Sequence, residues 1–190
     1  MATVSHIIPS SRTTEVLQLG PLTIRILASG THTSSVILTI SPHTAGFPVY
    51  FHRMHQVSFF ILRGTARFVA TSPSLAIKRF NAKVGEFVKV RVGARYRFSN
   101  PFDVEAELFV TYAPGYYVDF WREMARACEG GKALSSEEQA SLMRGWATTV
   151  GGEQGGALMT EDVETEEDVD EGDDEDMGGG PQYQRLMCMA

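Results

Sequence analysis

The sequence predicts an all-β fold, an antiparallel sandwich or barrel, from three observations. Seven or eight short β-rich runs follow one another between Gly20 and Pro114. Turn residues break them at Ser29–Gly30, Ser41–Pro42, Arg63–Gly64, Ser72–Pro73, Gly85, Gly93 and Asn100–Pro101. No helix-period segment interrupts the series, which excludes a parallel α/β fold.

In chain order, residues 1–15 are polar and rich in Ser and Thr and read as an N-terminal arm or weak edge strand. Residues 16–114 form the barrel, with strands expected at Leu22–Leu27, Ser35–Ile40, Gln56–Leu62, Ala66–Ala70, Phe87–Val92, Tyr96–Phe98 and Glu107–Tyr112. In the strand Gln56–Leu62, Val57, Phe59 and Ile61 alternate with Ser58, Phe60 and Leu62. One set therefore faces a core and the other a second apolar layer.

Residues 115–150 change period and read as a helical extension. Val118, Trp121, Met124 and Ala125 recur at helical spacing, predicting a helix from Tyr117 to Glu129 that stops at Gly130–Gly131. Ser135 or Ser136 can cap a second helix, with Glu137 and Glu138 in its first turn, where the helix dipole favours negative charge. Leu142, Met143 and Trp146 make its apolar face. From residue 151 Gly, Glu and Asp dominate, no apolar run offsets the entropy of ordering, and a disordered acidic tail is expected.

The chain has 190 residues and 43% hydrophobic content, enough for one core. Its net charge of −6 is unevenly spread, because twelve acids fall between Glu161 and Asp176. Subtracting that run leaves residues 1–160 with 16 Lys+Arg against 11 Asp+Glu, a basic body. Arg25, Arg67, Lys89 and Arg97 are scattered singly through strand-like runs, so no nucleic-acid partner is expected. Cys128 and Cys188 lie far apart, which fits neither a disulfide framework nor a thiolate metal site. Without a leader or an apolar run of ~20 residues, a cytoplasmic protein that does not enter membranes is expected.

The chemistry concentrates in Gly46–Gly64, GFPVYFHRMHQVSFFILRG, where His52 and His55 lie beside Tyr50 and Arg53. This stretch resembles the first motif of the cupin superfamily, and FFILRG matches its end. Gly85–Asn100, GEFVKVRVGARYRFSN, resembles the second motif at Gly85, Glu86, Gly93 and Asn100. The likeness continues through NPFDVEAELFVTYAPGYYVDFWREMA and covers about residues 35–148. It is similar to fungal single-domain cupins related to quercetin 2,3-dioxygenases.

The resemblance implies an antiparallel cupin, or jelly-roll, β-barrel. Such proteins hold a divalent metal through three histidines and a glutamate, a set suited to iron, manganese, nickel, copper or zinc. Here the corresponding positions fall on Tyr50, His52, Val57 and Tyr96, so one familiar ligand is left and no metal cofactor is expected. The resemblance also places Phe59, Ile61 and Phe98 on the lining of an apolar pocket with a few convergent polar groups.

The reading is a metal-independent enzyme doing acid–base chemistry on an aromatic or polyketide-like small molecule, by isomerisation, cyclisation, dehydration or decarboxylation. His52 is the expected base, with Tyr50 and Tyr96 as catalytic hydrogen-bond donors. His55 and Arg53 bind or orient an anionic group, and Val57, Phe59, Ile61 and Phe98 contact substrate. Two alternatives stand beside it: a metal-dependent, quercetinase-like dioxygenase in which His55 replaces a lost ligand, and a non-catalytic small-molecule binder. A homodimer is expected through an open sheet edge and the faces around Trp121 and Trp146.

Overall fold

A computed structural model describes residues 15–71 and 77–150. The expected arm up to residue 14 and the acidic segment from residue 151 lie outside these residues. The strands are β1 (Val16–Leu19), β2 (Leu22–Ala28), β3 (Ser34–Ile40), β4 (Tyr50–His52), β5 (Gln56–Arg63), β6 (Thr65–Thr71), β7 (Ile77–Lys83), β8 (Phe87–Val90), β9 (Tyr96–Ser99), β10 (Ala106–Ala113) and β11 (Thr148–Val150). Helices α1 (Val118–Ala127) and α2 (Ser136–Gly145) lie between β10 and β11.

All pairings are antiparallel and fall into two sheets, a six-stranded one in the order β1-β2-β3-β10-β5-β8 and a five-stranded one in the order β11-β4-β9-β6-β7. Their inner faces make the core. Val57, Phe59 and Ile61 of β5 are buried against Phe68 of β6 and Phe98 of β9. The rings interlock, with Phe59 centred 5.1 Å from Phe68 and 5.7 Å from Phe98. The alternate set behaves differently from the expected second apolar layer. Phe60 and Leu62 are 37% and 39% exposed, because that face of the sheet has no layer of this chain packed over it among the described residues.

Each expected strand is present within a residue or two at its ends, and the run from Phe87 stops early, at Val90. Four further strands were not predicted. Of these, β4 and β11 have three residues each, too few for a period to register. The β7 sequence, IKRFNAK, is exposed along most of its length because it is an edge strand, so it lacks the alternation that marks a half-buried one.

Asn100 holds the end of the barrel away from the histidines. Its Nδ2 donates to the carbonyls of Ile40 (3.0 Å), Ser41 (3.2 Å) and Val104 (2.9 Å), and its Oδ1 accepts from the Phe102 N–H (3.2 Å). Gly46 brings the next segment against β9. It has φ 79°, and a Cβ there would stand 1.9 Å from the Phe98 carbonyl oxygen, so only glycine fits both the backbone and the space.

At the opposite end β10 leads into a short 3-10 turn, Gly115–Tyr117. The turn seats against residues 30–33, where a Cβ on Gly115 would lie 2.0 Å from the Gly30 carbonyl oxygen. Helix α1 buries Val118, Phe120, Trp121 and Met124, and its Arg122 pairs with Glu15, just before β1 (2.7 Å), and with Asp119 of the same helix (2.5 Å). Ser135 caps α2 in a reciprocal capping box with Glu138. The chain then leaves α2 through Ala147, at φ 53°, and enters β11, which pairs with β4.

Candidate functional site

Strand β4 and the residues after it carry the two imidazoles inward. Tyr50 and His52 alternate with the half-buried Phe51 and so point into the barrel, where Tyr50 stands in register with Tyr96 of β9. The chain turns at the exposed Arg53 and Met54 and returns His55 to the interior. His52 is 1% exposed and His55 0%. Their rings pack with centroids 3.9 Å apart at 40°.

Aromatic rings enclose this pair. Tyr96, Tyr50 and Tyr117 lie 5.6, 5.3 and 4.8 Å from His52, and Tyr117, Tyr116 and Tyr112 lie 4.2, 5.9 and 6.4 Å from His55. Tyr50, Tyr96, Tyr112 and Tyr117 are buried. Burial raises the pKa of all four phenols, so each is a neutral O–H at physiological pH.

His52 is hydrogen-bonded on both sides. Its Nδ1 meets Thr148 Oγ1 at 2.9 Å and its Nε2 meets the Tyr96 hydroxyl at 2.8 Å. The Thr148 hydroxyl also lies 3.3 Å from the Trp146 carbonyl. If that carbonyl takes the Thr148 proton, Thr148 Oγ1 accepts from Nδ1–H and Nε2 accepts from Tyr96, an ordered chain that fixes the tautomer. Burial, then the neighbouring His55, pulls the His52 pKa down to about 2.

His55 differs. Neither of its ring nitrogens meets a hydrogen-bond partner among the described residues, although both are buried. Burial lowers its pKa to about 4, so it is a neutral imidazole at pH 7. Two more buried hydroxyls that meet no partner among the described residues belong to the same end of the barrel. Tyr116 faces His55 from the 3-10 turn, and Ser34 is in register with Tyr112 across β3 and β10. Above them Tyr116 stacks with Trp146 at 25°, and the Trp146 indole N–H donates to Glu123 (2.6 Å).

The sequence-predicted residues thus fall into two groups. Tyr50, His52, Tyr96 and His55 come together in one cluster. Val57, Phe59, Ile61 and Phe98 are buried in the hydrophobic core next to it. Arg53 is exposed, its backbone N–H donating to the Ala147 carbonyl (2.8 Å). Tyr112, Tyr116, Tyr117 and Thr148 complete the cluster without having been singled out. The tyrosines stood in YAPGYY, which runs from the end of β10 into the 3-10 turn, and that density of phenols was the available signal.

These residues do not fit a divalent metal. Both His52 nitrogens are engaged by hydroxyls, Val57 has no lone pair, and the phenols of Tyr50 and Tyr96 are held neutral. Among the described residues, no three His, Cys, Asp or Glu side chains converge as a ligand set.

No family model and no curated protein matches the sequence. Solved structures do match in fold. An oxalate decarboxylase of Bacillus subtilis, a protein with Mn(II) centres, aligns with TM-score 0.51 and 15% identity over 60% of this chain and 31% of its own. The oxalate decarboxylase of Lactobacillus farciminis, in a formate complex, aligns with TM-score 0.51 and 14% identity over 60% and 35%. The match spans about a third of each of those proteins. At this identity the likeness is one of fold, and the barrel is an antiparallel cupin barrel with a short helical extension.

Proposed function

We propose that this chain is a metal-independent cupin enzyme, akin to the fungal single-domain type, that moves protons on an aromatic or polyketide-like small molecule. The observation that carries the proposal is His55, a wholly buried neutral imidazole whose two nitrogens meet no partner among the described residues, inside a cage of neutral phenols. Leaving a buried polar atom unsatisfied costs about 1–3 kcal/mol. A site that tolerates this has a use for the lone pair and the N–H.

The roles follow from which atoms are already engaged. His52 is committed to Thr148 and Tyr96, so it braces the cluster and His55 takes the proton from substrate. The rings are 3.9 Å apart, so a charge on one opposes a charge on the other. His55 therefore accepts one proton and returns it elsewhere on the same molecule, as isomerisation, cyclisation or dehydration requires. In this reading the Tyr116 and Ser34 hydroxyls steady the oxygen that gains charge. In this reading the exposed Arg53, two residues before His55, orients an anionic group. Proton transfer of this kind contributes roughly 10²–10⁴-fold.

Solvent deuterium incorporation into hydroxylated polyaromatic ketones, followed by proton NMR, tests the proposal. Exchange that EDTA leaves intact and that His55→Phe abolishes is the expected result. Exchange surviving His55→Phe would refute the assignment, and a stoichiometric metal that EDTA removes together with activity would turn the reading to a metal-dependent oxygenase. Saturable binding without exchange would leave a binder rather than an enzyme.

A further inference from the structure

Strand pairing gathers basic residues that the sequence scatters. On the face of the five-stranded sheet turned away from the core, Arg79 of β7, Val69 of β6 and Arg97 of β9 stand in one register row, and Asn81, Arg67 and Ser99 in the next. Lys83 extends the face along β7, and Arg95, just before β9, lies over the Phe51 ring of β4 at 5.8 Å. Val69 is buried between its two arginine neighbours, as expected where their aliphatic stems lie along the sheet.

No Asp or Glu occurs in any of the five strands. The nearby acids are otherwise engaged: Asp103 pairs with His43, Glu105 with Arg63, and Glu86 accepts the Lys83 backbone N–H (2.7 Å). Among the described residues, Lys78, Arg79, Lys83, Arg95 and Arg97 make no ion pair. Like charges held this close repel one another, and the arrangement favours a polyanion.

We propose that the polyanion is the chain's own acidic segment, Glu161–Asp176, docked on the outer face of the five-stranded sheet. Charge complementarity and reach support it. The segment holds twelve carboxylates, and the chain leaves the described structure at Val150, the end of β11, which is the edge strand of this same sheet. Residues 151–160, extended, span up to roughly 33–36 Å. The sheet is about 19 Å across, as four spacings of ~4.8 Å. Tethering gives the segment an effective concentration on the order of millimolar, so weak individual pairs suffice. A nucleic acid would meet the same charges, but it would have to displace an anion already present on every molecule.

The test compares the full chain with a full-length variant in which the twelve acids become Asn or Gln. Backbone amide shifts are recorded by NMR at about 50 mM and about 0.5 M salt, where the screening length falls from roughly 14 to 4 Å. The expected result is a difference between the two proteins confined to β6, β7, β9 and their ends at low salt, which vanishes at high salt and on Arg79→Glu with Arg97→Glu. Identical low-salt spectra, or differences centred elsewhere, would overturn the proposal, as would differences that appear only with rising protein concentration. A short oligothymidylate provides a competition readout and is expected to bind the neutralised variant at least ~10-fold more tightly than the full chain. Equal tight binding to both would assign the face to nucleic acid instead.

Discussion

Asn100 and His55 are both 0% exposed and stand toward opposite ends of the same barrel. Asn100 makes four hydrogen bonds and ties three segments together. His55 makes none that the described residues supply. The aromatic residues divide the same way, with phenylalanines interlocked around Phe59 and tyrosines gathered around the imidazoles. A buried polar group that serves the fold is satisfied by the fold. One that the described residues leave unsatisfied costs stability, and it is on this contrast that the proposed chemistry at His55 rests.

The largest effect expected from this contrast is at the satisfied end. Asn100→Ala removes the hydrogen bonds to the Ile40, Ser41 and Val104 carbonyls and from the Phe102 N–H and should lower the unfolding free energy by about 3 kcal/mol or more, read by urea titration. A loss below about 1 kcal/mol would break the distinction.

Per unit of pH, the next in size is a pH effect. The His55 pKa falls from 6.5 to about 4 on folding, and that of His52 to about 2. The unfolded chain therefore binds more protons than the native one below pH 6.5, and stability falls as pH falls. The slope is at most about 1.4 kcal/mol per pH unit for each histidine. It runs through the window from 6.5 to about 4 for His55 and continues toward 2 for His52. Unfolding at pH 5 should take up close to two protons from this pair, measurable by calorimetry in buffers of different ionisation enthalpy.

His55→Phe sharpens the comparison because it should reverse the usual sign of a core substitution. Removing two nitrogens that the described residues leave unpartnered, while keeping a ring against Tyr117, should raise stability by about 1–2 kcal/mol and lower the proton uptake at pH 5 by one. Thr148→Val has the smallest effect, about 1 kcal/mol of destabilisation, because it removes one hydrogen bond from His52 and leaves the packing nearly unchanged. An imidazole nitrogen NMR signal that does not move in this variant would argue against the assigned tautomer.

The strands that build the core were legible because burial on one face writes a period of two into Gln56–Leu62 and Glu107–Tyr112. The cap of α2 was legible because Ser135 and Glu138 interact within four residues of sequence. The site was legible only in part. Its first half, Tyr50 through His55, lies in one stretch, but Thr148 reaches His52 across 96 residues. Pairing of that length leaves no local trace when the strand has three residues. The basic face was hidden for the same reason. Arg67, Arg79 and Arg97 are isolated in the sequence, and the registers of β6 with β7 and β9 make them neighbours.

The pairing of β11 with β4 also sets the order in which the molecule can be completed during synthesis. Every strand of the barrel other than β11 has been made by residue 113, whereas Thr148 follows 35 residues later, after both helices. At roughly 5–20 residues per second, the nascent chain has a few seconds as a barrel whose His52 lacks its Nδ1 partner. The end of the barrel that holds His52 and His55 is therefore the last part of the molecule to be completed.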